Sequence, residues 1–215
     1  MRGGIGVIFH DVEQNSEEWE ALRLGKATAS SYSKFMAHFG KGFGEPASRY
    51  ALQLALERVT GRRAGSSFKN EDMERGHEQE PVARMLYEEQ TFADVRNGGF
   101  FDWGDWGDSP DGLIGSDGVI ELKCVIASTH EATIRRGKPD PAYKWQIVGH
   151  MDGTGRDWVD FVSYCEDYPE WSQLVVFRTC RADVEAELAQ LAERREQFLA
   201  LVREKESELY ERNAA

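Results

Sequence analysis

Asp111, Glu121 and Lys123 are the residues whose types and spacing could do chemistry together. Asp111 lies in Ser109-Pro110-Asp111-Gly112, and Glu121-Leu122-Lys123 begins ten residues after it. Between them, Gly115-Ser116-Asp117 followed by Gly118 reads as a three-residue hairpin loop. That loop sets residue 114 opposite 118, and therefore Asp111 opposite Glu121. Directly opposed residues share a face of a sheet. Lys123 shares that face by strand alternation, while Leu122 points to the core. Two carboxylates held side by side repel, and a hard divalent cation such as Mg²⁺, which takes oxygen ligands, removes the repulsion. Water acidified by such an ion is a nucleophile, and Lys123 would orient it or stabilise charge developing on a phosphate. The resulting chemistry is metal-assisted phosphodiester hydrolysis. The same spacing also fits a solvent-facing hairpin with an ordinary cross-strand pair. Against that stands the apolar run Val119, Ile120, Leu122 and Val125, because charges set inside such a strand need a reason.

Several elements must position these groups. Ser16 caps a first helix carrying Trp19, Leu22 and Arg23, which Gly25 ends. Thr28-Ala29-Ser30-Ser31 reads as a second helix start, with Tyr32, Phe35, Met36 and Phe39 as its buried stripe. Pro46 opens a third helix over 47–60, stopped by Gly61. A fourth spans 70–89, with a kink or restart expected near Gln79-Glu80 because Pro81 lies inside it. Short strands are expected at 99–103, 109–114 and 119–124, then at 158–165 and 173–178. Helical spacing returns at 128–137 and 142–152, and 181–211 is one long amphipathic helix. The expected class is α/β or α+β in one domain over 1–215.

The 215 residues carry 26 Lys+Arg against 38 Asp+Glu, a net charge of −12. That is too charged for a membrane span and too apolar, at 40% hydrophobic, for a disordered chain. No signal peptide is read at the N-terminus. Cys124, Cys165 and Cys180 are odd in number and form no C-x-x-C, which argues against a disulfide framework and a structural zinc site. A reducing, cytoplasmic setting is therefore expected. The acidity lowers the expectation of nucleic-acid binding without excluding a local basic groove.

Ser109-Pro110-Asp111-Gly112 with Glu121-Leu122-Lys123-Cys124 resembles the PD-(D/E)xK nuclease core, and more narrowly the lambda-type phage exonucleases, or viral recombinase nucleases. Three further stretches follow that family in order. Trp19-x-x-Leu22-Arg23-Leu24-Gly25-Lys26-x-Thr28-Ala29-Ser30 resembles its N-terminal signature. Gly76 to Arg84 resembles its G-x-x-x-E-x-x-A-R helix, and Tyr143-Lys144-Trp145-Gln146 its glutamine-bearing helix. The resemblance implies a restriction-endonuclease-like core, with a central mixed β-sheet of about five strands flanked by helices and a long C-terminal helix. It implies a 5′→3′ exonuclease on linear double-stranded DNA that yields mononucleotides and 3′ single-stranded tails for recombination. Asp111, Glu121, Glu80 and the backbone carbonyl of Leu122 would bind metal, with two Mg²⁺ ions per site and Mn²⁺ able to substitute. Lys123 would be the catalytic lysine and Gln146 an active-site glutamine. Arg23 and Ser30 would hold the 5′-terminal phosphate. The family also implies a ring-shaped homotrimer around DNA, a single-strand annealing partner, and a phage or prophage gene expressed in a bacterial host.

Each residue has a plainer reading. Glu78 rivals Glu80, although two positions apart on a helix they face different ways. Arg23 could pair with Glu20, Ser30 could be a simple N-cap, and Gln146 a polar residue at the core's edge. His10, His38, His77, His130 and His150 form no trusted ligand spacing. Arg62, Arg63 and Lys69, and separately Arg135, Arg136 and Lys138, could track a DNA backbone or simply be solvated. A restriction-type or structure-specific endonuclease on the same core, or a catalytically silent DNA-binding domain, are the alternatives.

Overall fold

The computed structural model describes residues 6–37, 39–64 and 71–214, with side chains from 75 to 211 in the last of these stretches. His38, Lys69 and Asn70, which entered the expectations above, lie outside the described residues. In chain order the elements are β1 (Ile8–His10), α1 (Glu17–Arg23), β2 (Ala27–Thr28), α2 (Ser33–Met36), α3 (Glu45–Thr60), α4 (Glu71–Thr91), β3 (Val95–Asn97), β4 (Phe100–Asp102), β5 (Trp106–Asp108), β6 (Gly112–Ile114), β7 (Gly118–Cys124), α5 (Ala127–Arg136), α6 (Lys144–Thr154), β8 (Trp158–Tyr164), β9 (Leu174–Cys180) and α7 (Glu185–Ala214).

The larger sheet runs β3-β6-β7-β8-β9. Only its β7–β8 pair is parallel, and α5 and α6 fill the crossover that a parallel pair requires. This is the mixed five-stranded sheet flanked by helices, with a long C-terminal helix, that the sequence led us to expect. A second sheet, β1-β4-β5-β2, was not foreseen. Its strands are two or three residues long, and of them only β4 falls in an expected strand, 99–103.

The hairpin register falls where the loop length placed it: Ile114 pairs with Gly118, Leu113 with Val119 and Gly112 with Ile120. Alternation then divides β7. Ile120, Leu122 and Cys124 join Ala83 and Tyr87 of α4 in one apolar layer. Val119 faces the other way with Phe161 of β8 and Ile147 and Met151 of α6, so Glu121 and Lys123 point toward α6. A third layer clamps α7 to α2 and α3, where Phe198 stacks on Phe35 and Tyr50 at ring-centroid distances of 4.4 and 5.4 Å. Arg195 of α7 pairs with Asp152 of α6 and lies over the Trp106 ring, which ties the long helix to α6.

Three local expectations are corrected. α4 does not restart near Gln79-Glu80 but runs unbroken through Pro81. Pro81 is exposed, and the carbonyl its missing N–H would have served belongs to His77, itself exposed to solvent. Phe39 is 40% exposed rather than part of a buried stripe, because α2 ends at Met36. Ser30 is no helix N-cap: it lies inside a 3₁₀ turn, Ala29–Ser31, whose flanking residue is Thr28.

Candidate active site

The Pro110-Asp111 turn is pinned from several sides. Gln14 Nε2 donates to the Pro110 carbonyl at 2.8 Å. Trp19 Nε1 donates to Ser109 Oγ at 2.6 Å, and that hydroxyl donates to the Gly99 carbonyl at 2.8 Å. Gly98 lies against the turn so closely that an added Cβ would sit 1.7 Å from the Pro110 oxygen. Held this way, Asp111 reaches across the hairpin, and its Oδ2 accepts the Leu122 N–H at 2.7 Å. Asp111 therefore stands at the side of Glu121, as the register requires.

Glu121 is 1% exposed and is the hub of the site. Its Oε1 accepts from Lys123 Nζ and, at 2.6 Å, from Gln146 Nε2. Its Oε2 meets His150 Nε2 at 2.7 Å. The other ring nitrogen of His150 lies 2.9 and 3.0 Å from the two oxygens of Asp108. Gln146 and His150 are four residues apart on α6, and so share the face turned to β7. Ionised carboxylates only accept hydrogen bonds, so an imidazole set between two of them carries both protons. Burial opposes that charge, but Asp108 and Glu121 outweigh it and push the His150 pKa up to about 10. Burial likewise pushes Glu121 up, yet Lys123 and His150 together hold it at about 2. Lys123 is desolvated too, and Glu121 and Asp111 still keep it firmly protonated.

The remaining acids respond in the opposite direction. Burial, then the Glu121 charge, pushes Asp111 up to about 8. Glu80 is raised by burial and by Glu121, whereas Glu78 is exposed. Asp108 is raised by burial, against the pull of His150. Two cations, Lys123 and His150, thus serve four neighbouring carboxyls. Among the described residues no three Asp, Glu, His or Cys side chains are already gathered at ligating distance. The oxygens of Glu121 are engaged by Lys123, Gln146 and His150 instead. The donor set is nonetheless all hard oxygen, and burial, followed by repulsion from Glu121, holds Asp111 and Glu80 above their ordinary range. Both properties fit a hard divalent cation.

One small cavity of about 120 Å³ gathers Asp111, Glu121, Lys123 and Gln146 with Arg23 and Ser30. Glu80 does not line it, and reaches the cluster through its charge on Asp111. Leu122, whose carbonyl was an expected ligand, pairs with Val162 of β8 and buries its side chain. Arg23 does not pair with Glu20, which binds Arg63. It packs over Trp19 with its guanidinium carbon 3.9 Å from the ring centroid, donates to Thr28 Oγ1 at 3.3 Å, and has no carboxylate partner among the described residues. Arg23 also borders a larger cavity of about 400 Å³ lined by Lys26, Lys34 and Arg63 against Glu20 and Glu57, so bases outnumber acids there on an acidic chain. Of the other basic groups, Arg135 pairs with Glu131 and Arg136 with Asp140.

Sequence reasoning missed Asp108 and His150. The signal for His150 was its spacing of four from Gln146. Asp108 gave none, lying in an Asp/Gly-rich stretch.

A family model described as a YqaJ-like viral recombinase domain matches residues 18–157. Among solved structures, an alkaline exonuclease (LHK-Exo) from Laribacter hongkongensis superposes with a TM-score of 0.83 at 37% identity, over 93% of this chain and 98% of that one. The same enzyme in complex with dAMP gives 0.79 and 38% over the same shares. A phage related exonuclease from Haemophilus somnus 129PT gives 0.66 at 14% identity, over 87% of this chain and 96% of that one, and shows likeness of fold. No curated protein matches the sequence.

Proposed function

The chain belongs to the YqaJ-like viral recombinase domain family, and on that premise we propose that it is a metal-dependent exonuclease that degrades linear double-stranded DNA from the 5′ end. The observation that carries this reading is the meeting of Asp111, Glu121 and Lys123 on one face of the β6–β7 hairpin, beside Gln146, Arg23 and Ser30 in one cavity. Asp111, Glu121, Glu80 and the Leu122 carbonyl are the groups that would hold Mg²⁺, or Mn²⁺ in its place. When bound there, such ions, two per site, supply Lewis-acid stabilisation of the attacking and leaving oxygens.

The protein's own groups do the rest. Lys123, kept protonated, donates hydrogen bonds to the attacking water or to a non-bridging phosphate oxygen. Gln146 presents its amide at the same place. Arg23 offers a desolvated guanidinium that makes no ion pair with a carboxylate among the described residues, and Ser30 an exposed hydroxyl; together they suit a 5′-terminal phosphate. The larger basic cavity beyond Arg23 gives the acidic chain a place for a polyanion.

Mononucleotides and a 3′ single-stranded tail are the products of this reading, and a relative crystallised with dAMP is in keeping with it. One nuclease domain spans the chain. A homotrimeric ring around DNA, acting with a single-strand annealing partner in the cytoplasm of a phage-carrying bacterium, completes the proposal. Among the described residues no helix is long and apolar enough to cross a membrane.

The test uses linear duplex labelled separately at each 5′ and 3′ end, with and without Mg²⁺, beside a covalently closed circle. Metal-dependent release of the 5′ label as mononucleotides, with circles spared, is expected. Cleaved circles would point to an endonuclease, and no cleavage by the folded protein with metal supplied would point to a binding domain.

A further inference from the structure

We propose that His150, itself held by Asp108, is a positioning residue that fixes the orientation of the Glu121 carboxylate through its Oε2. The inference rests on the metal-dependent reading above. Glu121 sits in mid-strand at 1% exposure, so water cannot satisfy its oxygens. Oε2 is capped by His150 Nε2 at 2.7 Å and Oε1 is shared by Gln146 and Lys123, and all three partners line the cavity together with Asp108. The two oxygens are thus held differently: Oε2 by one ring that is itself clamped, Oε1 by two side chains from β7 and α6.

The anchor is itself anchored. His150 is 1% exposed and both its ring nitrogens are engaged, so the ring cannot rotate without breaking bonds at both ends. Asp108 grips Nδ1 through both oxygens and is also 1% exposed. Behind Asp108 lies Gly153, where an added Cβ would sit 2.4 Å from the Asp108 Cβ. Gln146, His150 and Gly153 fall at i, i+4 and i+7 of α6, a single stripe facing β5 and β7. Outer partners that orient a ligating group typically change metal affinity 10–100-fold when removed.

The experiment is calorimetric titration of Mn²⁺ into the DNA-free full-length protein, with circular dichroism and thermal unfolding as controls for folding. His150→Ala should weaken Mn²⁺ binding about 10–100-fold. His150→Gln, whose amide can still donate to Oε2, should recover most of that loss. In cleavage assays, His150→Ala should raise the half-saturating metal concentration more than it lowers the rate at saturating metal. Gly153→Ala, remote from the cavity, should weaken binding in the same direction by displacing Asp108. Wild-type Mn²⁺ affinity in folded His150→Ala overturns the proposal, as does His150→Gln behaving no better than His150→Ala. Should His150→Ala fail to fold, His150→Gln and Gly153→Ala decide, because wild-type affinity in Gly153→Ala with unchanged unfolding also overturns it. A wild-type protein that binds no Mn²⁺ overturns the functional reading and this proposal together, an outcome distinct from selective failure of the clamp.

Discussion

Two buried carboxylates on neighbouring strands, Asp160 of β8 and Glu121 of β7, are each 1% exposed, yet they are neutralised in different ways. Asp160 pairs in register with Ile120 and so faces the opposite side of the sheet from Glu121. Arg178 donates to both its oxygens at 2.8 Å, and Tyr87 Oη donates at 2.6 Å. That group is closed: a bidentate guanidinium and a phenol satisfy one acid, with no second carboxyl crowding it in the hydrogen-bond network. Around Glu121 the balance is reversed, because Asp111, Glu80 and Asp108 share the neighbourhood of Lys123 and His150. A buried carboxylate with matched partners is architecture. One surrounded by further acids is left with repulsion that a bound cation would relieve.

The most severe test of that contrast is Lys123→Ala. It should leave the fold intact and lower DNA cleavage by at least about 10²–10³-fold, the scale of removing one transition-state donor. Full activity in a folded variant would remove Lys123 from the reaction. Glu80→Gln should come next. It should weaken divalent-metal binding, and it should raise the melting temperature of the metal-free protein because one repelling charge is gone. A lower melting temperature would show Glu80 to be structural.

Asp160→Ala should behave in the opposite way. Metal binding should be spared, and stability should fall by about 2–3 kcal/mol, the low end for breaking a buried pair because Arg178 is half exposed and can rehydrate. Denaturant unfolding at fixed pH measures that loss. A variant with wild-type stability but no metal binding would erase the distinction between the two carboxylates.

The smallest expected effect is one of pH. Asp111 has a folded pKa of about 8 against an ordinary 3.8. Its ionisation therefore costs the metal-free fold stability, increasingly so as pH rises from about 4 to about 8. His150 works in the other direction: raised from 6.5 to about 10, it contributes stability that is complete below about 6.5 and lost as pH rises through about 10. The gain in melting temperature on adding Mg²⁺ should accordingly grow between pH 5 and 8, since the ion offsets a charge that is present only at the upper end. A pH-independent gain would show that Asp111 is not a ligand.

Much of the site was legible in the chain because the information was local. A three-residue loop fixes a hairpin register, and the register brings Asp111 beside Glu121. Helical spacing likewise puts Gln146 on one face of α6. The second sheet was not legible beyond β4, because β1, β2 and β5 are too short to show alternation and exist only through their partners. Pro81 does not end the helix, because a proline's cost depends on whether the orphaned carbonyl lies at an exposed position, which the sequence does not reveal. The Asp108–His150 pair was missed for a related reason. It joins residues 42 apart through one hydrogen-bonded contact across the fold.

The central claim is that the acids around Glu121 form a divalent-metal site, and titration of Mn²⁺ into wild-type and Asp111→Asn protein near pH 7 tests it most directly. The account predicts saturable binding to the wild type with release of a proton, and loss of most of that affinity in folded Asp111→Asn. Equal binding by the two proteins, or none by a wild type that still cleaves DNA in the presence of a chelator, would contradict it.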